Sequence, residues 1–216
     1  MELPLFPLNT VLFPGASVPL HIFEDRYKQM IGRCLAQKSP FGICLIKSGE
    51  EMGGPADTFP VGTTAQITAA QELEDGRLNI ICLGGQRFRL LTQLAREPYL
   101  LAEVEILQTH VETDPVTLEL AHTAGLLFAD YLRLYLAISN QWARAVEMPS
   151  EPDRLADHIA SRIAVDHRTK QGLLEELSAH NRLATEIDLL GTAIEEMTPR
   201  VDFARASRWH GFAVMN

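Results

Sequence analysis

The chain has 216 residues, of which 46% are hydrophobic and 22% charged. These are ordinary globular values, so they exclude a disordered or fibrous chain. The formal net charge is −9. Because an acidic chain repels phosphate backbones and anionic lipids, the composition disfavours nucleic acids and membrane surfaces as partners.

Three cysteines, Cys34, Cys44 and Cys82, are an odd number and lie far apart in the chain. None belongs to a C-x-x-C pair, so the pattern predicts neither a zinc site nor a disulfide framework. Free thiols among apolar neighbours are typical of a reducing compartment. We therefore expect a cytoplasmic protein that has no metal and no cofactor.

The N-terminal stretch is apolar, but it lacks a basic segment and contains four prolines that would break a helix. It therefore does not predict a signal peptide. No apolar run approaches the ~18–20 residues of a membrane span, so we expect no membrane as a partner.

Glycine and proline divide the chain into two parts. Ten of 14 glycines and eight of 12 prolines precede residue 100, which indicates turns and short strands, while the remainder has a helical pattern. Asp114 followed by Pro115 is a helix start signal. We predict a β-rich subdomain at residues 1–110 and a helical subdomain with a C-terminal tail at residues 111–216.

Strands in the first part are indicated by alternating side chains and by one tight turn. Residues 74–77 contain Asp-Gly, which supplies the positive φ of a hairpin turn. Its flanking strands are predicted at 61–73 and 78–83, the second one buried on both faces. Further strands are predicted at 41–47, 87–90 and 102–106, and a loop at 47–59. Strands joined by short turns favour a closed or nearly closed barrel.

Helices are predicted from apolar spacing. One lies inside the first part, where large side chains recur with helical periodicity from Phe23 to Leu35. The second part should hold three or four helices. The first runs from Pro115 to about residue 146 with two apolar stripes, and the last is ended by Pro199.

No catalytic motif is recognisable. No lysine follows a glycine, so there is no nucleotide phosphate loop, and G-x-G-x-x-G, H-E-x-x-H and G-x-S-x-G are also absent. The pairs Asp157-His158 and Asp166-His167 have the composition of an acid–base pair, but helix surfaces favour solvated side chains there. We therefore expect a protein that is not an enzyme.

Two features leave binding alternatives open. Arg87 and Arg89 flank Phe88, an arrangement that can bind single-stranded nucleic acid, although an exposed strand face suits an acidic chain better. The N-terminal stretch is dense in large apolar residues, while prolines such as Pro4 and Pro7 predict that it does not form a regular sheet interior. Some of these side chains could line a groove for extended apolar peptide.

Several motifs, in their order and spacing, resemble the N-terminal domain of the Lon protease. In the first part they are residues 3–8 (LPLFPL), 11–15 (VLFPG), 19–24 (PLHIFE), 26–27 (RY), 61–63 (VGT) and the G-x-x-R-F element at 84–88. The helical part is similar at residues 155–157, 159–160, 170–171, 173–175 and 182–183. The resemblance covers roughly residues 1–197.

The resemblance implies an α+β fold, in which a PUA-like β-barrel with one inserted helix is followed by a C-terminal helical bundle. It also implies a non-catalytic module that binds peptides or partly unfolded proteins, as a substrate-recruiting domain does, and that could act as an adaptor. The ATPase and Ser–Lys protease modules of that family have no counterpart in this sequence, so its catalytic residues have no positions here. An RNA-binding PUA-like module, an unrecognised hydrolase and a homo-oligomer remain open alternatives.

A binding groove is predicted near the first helix, and its lining residues are Phe13, Leu20, Phe23 and Tyr27. Pro14-Gly15 makes a sharp turn after Phe13. Pro19 has no N–H to donate, so its strand is expected to be an edge or to leave one at that point, and an edge can pair with an extended peptide. The alternative is that all four side chains belong to the core.

Two charged residues are expected to have a structural role. Glu24 and Arg87 both lie beside apolar residues at transitions between predicted elements. A carboxylate–guanidinium contact between them would tie the inserted helix to the barrel.

Overall fold

The computed structural model describes residues 1–49, 56–95, 97–109, 112–139 and 147–213, and for residues 202–213 it describes the backbone alone. This described part contains seven strands and five helices. The strands are β1 (Glu2–Leu8), β2 (Ser17–Ile22), β3 (Phe41–Ser48), β4 (Asp57–Thr58), β5 (Val61–Glu72), β6 (Leu78–Ala95) and β7 (Leu100–Ile106). The helices are α1 (Asp25–Gln37), α2 (Pro115–Ser139), α3 (Pro152–Arg162), α4 (His167–Glu175) and α5 (Ala179–Ala213).

Five of the strands form a closed cycle of pairings. β1 neighbours β7, followed by β6, β5 and β3, and β3 pairs again with β1. The β1–β3 pair is parallel and the other pairs are antiparallel. β2 pairs with β6, and the short β4 pairs with β3. The sheet is therefore mostly antiparallel, and with five helices the fold class is α+β.

The first strand corrects the expectation that its prolines prevent regular pairing. Residues 2–5 pair with β7 and residues 5–8 pair with β3. Met1 and Val104 exchange backbone hydrogen bonds, so odd-numbered residues of β1 direct their N–H and C=O groups towards β7. The backbone nitrogen of Pro4 therefore faces β3, but the β1–β3 ladder begins only at Leu5. The backbone nitrogen of Pro7 faces β7, but the β1–β7 ladder ends at Leu5. Neither proline removes a hydrogen bond that the sheet makes.

The predicted hairpin at residues 74–77 is present. Gly76 has φ +76°, and the Leu73 N–H donates to the Arg77 carbonyl across the turn. The strands predicted separately at 78–83 and 87–90 form one strand, β6, which is 18 residues long. The expectation that residues 78–83 are buried on both faces is wrong, because Ile81 and Leu83 are exposed while Ile80 and Cys82 are buried.

The core beneath the sheet depends on close backbone approach at two glycines. The Phe88 ring is fully buried and packs with Leu3, Leu5, Cys44 and Val104. A Cβ atom on Gly42 or on Gly62 would lie 2.7 Å from Phe88 Cζ, which no side chain tolerates without movement. Glycine at these positions in β3 and β5 therefore leaves the room that the ring occupies.

Helix α1 follows β2 and closes the other core cluster of the sheet. Tyr27, Met30, Ile31 and Cys34 form its buried stripe, as their spacing predicts. The Tyr27 ring lies 4.1 Å from the Phe6 ring, centre to centre. The helix ends at Lys38, which adopts a left-handed conformation and donates its N–H to Leu35 O.

The chain divides into two compact units. The first comprises Met1–Thr109 with Ala160–Leu177, and the second comprises His110–Ile159 with Ser178–Asn216. The predicted division at residue 110 differs from this grouping in one segment, Ala160–Leu177. That segment carries α4, which contacts β5 within the first unit.

The second unit is built on the contact between α2 and α5. Asp114 begins α2 by accepting hydrogen bonds from the backbone N–H groups of Val116 and Thr117, each at 3.1 Å. The buried stripe of α2 consists of Thr117, Ala121, Ala124, Phe128 and Tyr131. The predicted continuation of this helix over residues 140–146 lies outside the described residues.

Helix α5 corrects the prediction that Pro199 is a helix end. The helix continues to Ala213, with Pro199 inside it. The N–H that proline lacks would have bonded the Glu195 carbonyl, and Glu195 is exposed, so water can satisfy that carbonyl. The tail aromatics Phe203, Trp209 and Phe212 lie where only the backbone is described.

Candidate functional site

β2 is an edge strand. Within the described residues it pairs with β6 alone, from Ser17 opposite Leu83 to Ile22 opposite Leu78. The Gly84 N–H donates to the Ala16 carbonyl at 2.8 Å, which fixes the alternation of the ladder. Even-numbered residues of β2 bond towards β6, so the backbone polar groups of Ser17, Pro19 and His21 face the open edge. Pro19 therefore occupies a position where the N–H that it lacks would not have bonded β6, as expected for an edge strand.

The four residues predicted to line a groove do not share one environment. Phe13 is 0% exposed and Tyr27 is 5% exposed, so both belong to the core. Leu20 is half-buried and packs against the core cluster that contains Tyr27. Phe23 is 46% exposed and is the one broadly accessible side chain of the four. The structure therefore places two of them in the core and two at or near the surface.

Phe13 is buried because its loop is folded down onto the sheet. The Thr63 hydroxyl donates to the Leu12 carbonyl at 2.6 Å, and the Gly15 N–H donates to the Gly84 carbonyl at 2.9 Å. A side chain at Gly84 would collide with the Phe13 carbonyl, so glycine permits this close approach. The Pro14-Gly15 turn therefore directs Phe13 inwards rather than to a strand end.

The exposed surface beside the open edge carries several apolar side chains. We call the side chains of Pro19, Phe23, Ile81 and Leu83 the outer apolar face. Ile81 is 46% exposed and lies opposite Pro19, and Leu83 is 40% exposed and lies opposite Ser17. The sequence pattern gave no indication of Ile81 and Leu83, because a continuous apolar run does not reveal which residues face solvent.

Polar contacts border this face at the end of β2. His21 Nδ1 lies 2.7 Å from Asn79 Oδ1, and its ring stacks on Phe23 with centres 6.1 Å apart. His21 Nε2 lies 3.3 Å from Arg77, which also pairs with Asp75. Backbone and side-chain hydrogen bonds from Arg77 hold the pKa of the Asp75 carboxyl below its usual range, although partial desolvation opposes them. The contacts fix the orientation of His21 and, through it, of Phe23.

Glu24 and Arg87 have different partners in the structure. Arg26 Nη2 lies 2.8 Å from Glu24 Oε2. Because the two residues are only two positions apart in the chain, forming this contact costs little conformational entropy. Arg87 is 2% exposed, and its Nε donates to the Leu174 carbonyl at 2.9 Å, near the C-terminus of α4. A guanidinium at that position satisfies an end carbonyl and suits the helix dipole. Arg87 thus holds α4 against the strands of the first unit.

A second buried side chain at this contact was not predicted from the sequence. Gln171 is 2% exposed, and its Nε2 donates to the Val61 carbonyl at 3.0 Å. Gln171 thus connects the 170–171 motif to the 61–63 motif, as Arg87 connects the 84–88 motif to the 173–175 motif. The signal was present in the sequence as a glutamine on the apolar side of a short helix.

The expectation of solvated side chains at both acid–base pairs is wrong for Asp157, which is buried, whereas Asp166 is exposed. Asp157 is 6% exposed and lies 3.8 Å from Arg182 Nε in the second unit, while the His158 ring packs edge-on against Phe128. Asp166 accepts hydrogen bonds from the backbone N–H groups of Arg168 and Thr169 and so begins α4. A hydrogen bond from the Thr169 hydroxyl, supported by these backbone hydrogen bonds, lowers the pKa of the Asp166 carboxyl.

Metal and thiol chemistry find no support among the described residues. No cluster of three or more histidine, cysteine or acidic side chains is placed to hold a metal ion there. The three cysteines are free and buried. Burial raises the pKa of the Cys44 and Cys82 thiols to about 12, so neither is a ready nucleophile at neutral pH. In the same described part, no helix combines the length and apolarity that crossing a membrane requires.

Comparison with curated proteins identifies long relatives. The chain is 28% identical over 207 residues to a Lon protease of Anaeromyxobacter dehalogenans, which covers 94% of this chain and 25% of the relative. It is 31% identical over 192 residues to Lon protease 1 of Hydrogenovibrio crunogenus, covering 84% and 23% respectively. The chain therefore spans about a quarter of the length of the curated relatives that it matches.

Solved structures and a family profile also match this chain to Lon proteins. A Lon N-terminal domain protein from Xanthomonas campestris superposes with a TM-score of 0.65 at 27% identity, over 86% of this chain and 96% of that one. The N-terminal domain of a Mycobacterium avium complex Lon protease shares the fold, with a TM-score of 0.64 at 21% identity, over 88% and 98%. The profile of the ATP-dependent protease La (LON) substrate-binding domain matches residues 2–192. The chain is therefore a member of the Lon substrate-binding domain family.

Proposed function

We propose that the chain is a non-catalytic protein-binding module that captures extended apolar segments of partly unfolded proteins on its outer apolar face. Membership of a substrate-binding domain family supports a recruiting role. The observation that carries the proposal is the position of the outer apolar face directly beside the open edge of β2. One surface thus offers both backbone pairing and apolar contact.

The open edge provides the sequence-independent part of recognition. The carbonyl groups of Ser17, Pro19 and His21 face outwards, and so do the N–H groups of Ser17 and His21. An extended segment that adds itself as a further strand would bond these groups and leave every other side chain on the exposed side of the sheet. Folded proteins lack a free extended segment, so this mode selects unfolded ones.

The outer apolar face provides the preference for apolar side chains. Pro19 and Phe23 lie on or directly after the edge strand itself, and Ile81 extends the same surface onto β6. Covering these side chains removes apolar area from water, at about 25 cal/mol per Å². Apolar segments are buried in folded proteins and exposed in unfolded ones, so the side-chain preference and the backbone mode favour the same clients.

Further features of the proposal concern architecture and setting. We take the closed cycle of strands to be a PUA-like β-barrel and the helices of the second unit to form a helical bundle. The proposed module works without a cofactor, in a reducing cytoplasm that suits its free buried cysteines. Delivery of clients to a separate partner, as an adaptor, would follow from capture without catalysis.

The comparisons give no support to the RNA-binding alternative, and the net charge of −9 opposes it.

The experiment measures affinity for a fluorescently labelled, permanently unfolded protein by anisotropy. The double variant Ile81→Ser/Leu83→Ser should bind at least about tenfold more weakly, because each lost apolar contact is worth about 1 kcal/mol. Leu94→Ser is the matched control, since Leu94 also lies on β6 and is as exposed as Ile81, at 46%. Equal weakening by the control, or wild-type protein that does not bind at all, would reject the proposal.

A further inference from the structure

Helix α2 carries an exposed leucine, Leu126, on the face opposite its buried stripe, and it is 59% exposed. A second leucine, Leu118, is 47% exposed on the flank of that face. Glu119, His122, Asp130 and Arg133 lie along the helix before and after Leu126 and are all exposed. Positions 119, 122, 126, 130 and 133 are spaced by three or four residues, so they share one face of the helix. We call these five side chains the α2 face.

The charges of the α2 face are arranged symmetrically about Leu126. Glu119 and Arg133 lie seven residues before and after Leu126, and His122 and Asp130 lie four residues before and after it. In each case a basic or imidazole group on one side of the centre corresponds to an acidic group on the other. A helix with this pattern is complementary to a reversed copy of itself.

We infer that the α2 face is a self-association surface, on which two copies of the chain pair through antiparallel α2 helices centred on Leu126. In a two-fold antiparallel pair, each residue lies opposite the residue equally far beyond the centre. Glu119 then faces Arg133 of the second copy, and His122 faces Asp130 of the second copy. The two Leu126 side chains meet at the axis, where burial of their exposed area supplies the apolar part of the contact.

The charges select one orientation and one occupant. A parallel pair would place Glu119 beside Glu119 and Arg133 beside Arg133, which is repulsive. Within each copy, Arg133 Nη1 already lies 2.7 Å from Asp130 Oδ1. Each end of the antiparallel pair therefore gathers two acids, one arginine and one histidine from two chains. An unrelated partner has no reason to repeat this spacing in reverse, whereas a second copy does so by identity.

The contact is small, so the association is weak. Residues 118–134 of one helix span about 24 Å at 1.5 Å per residue. A single helix pair of this length falls at the low end of specific interfaces, where complexes are weak and transient. The exposed ion pairs fix the orientation of the two helices and make dimerisation dependent on salt, but they contribute little to the affinity.

Sedimentation equilibrium on the full chain tests the inference by charge reversal. Wild-type protein should dimerise, while Glu119→Arg and Arg133→Glu should each weaken dimerisation by about tenfold or more, since each places like charges opposite one another twice. The double variant Glu119→Arg/Arg133→Glu should recover affinity to within about threefold, because the complementary pairs are restored in reversed order. Glu195→Arg is the control, with the same charge change on an exposed residue of α5.

A mixing arm shows whether the effect is between chains. The Glu119→Arg chain carries arginine at both positions and the Arg133→Glu chain carries glutamate at both, so an equimolar mixture should form a heterodimer. Helical content and melting temperature of every variant are measured beside it, since a misfolded variant would also fail to associate. Wild-type protein that stays monomeric at about 0.5 mM, single variants that behave like the control, or a double variant and mixture without recovery would each overturn the inference.

Discussion

The replacement Phe13→Ala separates a core residue from a binding residue, because Phe13 and Phe23 have the same chemistry in opposite environments. Phe13 is 0% exposed beneath the turn at Pro14-Gly15, and Phe23 is 46% exposed after β2. Removing a fully buried phenylalanine ring lowers the free energy of unfolding by about 3–5 kcal/mol, because the transfer free energy of the ring is lost and a cavity is left behind. For a chain of this size, each kcal/mol lowers the melting temperature by about 2–4 °C, so Phe13→Ala should melt about 6–20 °C lower.

Phe23→Ala removes a ring that is already half in water, so about 1 kcal/mol and about 2–4 °C are expected. Its effect should appear in binding instead. The assay is thermal unfolding followed by circular dichroism, with anisotropy of the labelled unfolded protein measured well below both melting temperatures. If Phe13→Ala kept its melting temperature and lost binding, or if Phe23→Ala melted as low as Phe13→Ala, the assignment of the two rings would be refuted.

Three further predictions concern buried charge, pH and thiols. Arg182→Ala should lower the free energy of unfolding in urea by about 3–5 kcal/mol, because the buried Asp157 carboxylate loses the guanidinium that lies 3.8 Å from it; a loss below about 1 kcal/mol would contradict this. The pKa of Glu112 lies below its ordinary value of 4.5, chiefly because the His180 N–H donates to its carboxylate, and Ser178 donates as well. The stabilisation is therefore full above pH 4.5 and lost as the pH falls below it, so the melting temperatures of wild type and Glu112→Gln should converge in acid; a constant difference from pH 7 to pH 3 would show otherwise. Finally, a thiol reagent at about pH 8 should label no cysteine of the folded protein and all three in urea, and rapid labelling of native protein would disprove their burial.

Local patterns predicted single elements of both units correctly, because such elements depend on neighbouring residues. The helical spacing from Tyr27 to Cys34 predicted the buried stripe of α1. Asp75-Gly76 predicted a hairpin turn at the position where β5 reverses into β6. Asp114 before Pro115 predicted the start of α2. In each case the deciding interaction lies within one turn of helix or one hairpin.

Errors arose where a residue's role depends on distant parts of the chain. Pro4 and Pro7 fit into β1 because the strand changes its partner between them, which no local rule indicates. Pro199 is tolerated inside α5, where the carbonyl it deprives of a donor is exposed to water. The local rules for proline in strands and helices therefore gave wrong predictions here, because the tertiary surroundings of these prolines decide whether a hydrogen bond is lost.

The predicted site was affected by the same limit. The sequence indicated that β2 is an edge, since this follows from Pro19 alone. Which apolar side chains face water depends on the strands beside and beneath them, so Phe13 was taken as a lining residue while Ile81 and Leu83 were missed. Arg87 was expected to have a structural partner, but its contact with Leu174 lies 87 residues away, and no spacing rule reaches that far.

The central claim is that extended apolar segments bind at the open edge of β2 and on the outer apolar face. The most direct measurement is an NMR titration of isotope-labelled protein with a short apolar peptide that has no structure of its own. We expect the backbone amide signals of Ser17 and His21 to shift most, and the side-chain methyl signals of Ile81 and Leu83 to shift with them at the same dissociation constant. Shifts confined to other strands or to the helices of the second unit, with Ser17 and His21 unchanged at saturation, would contradict it.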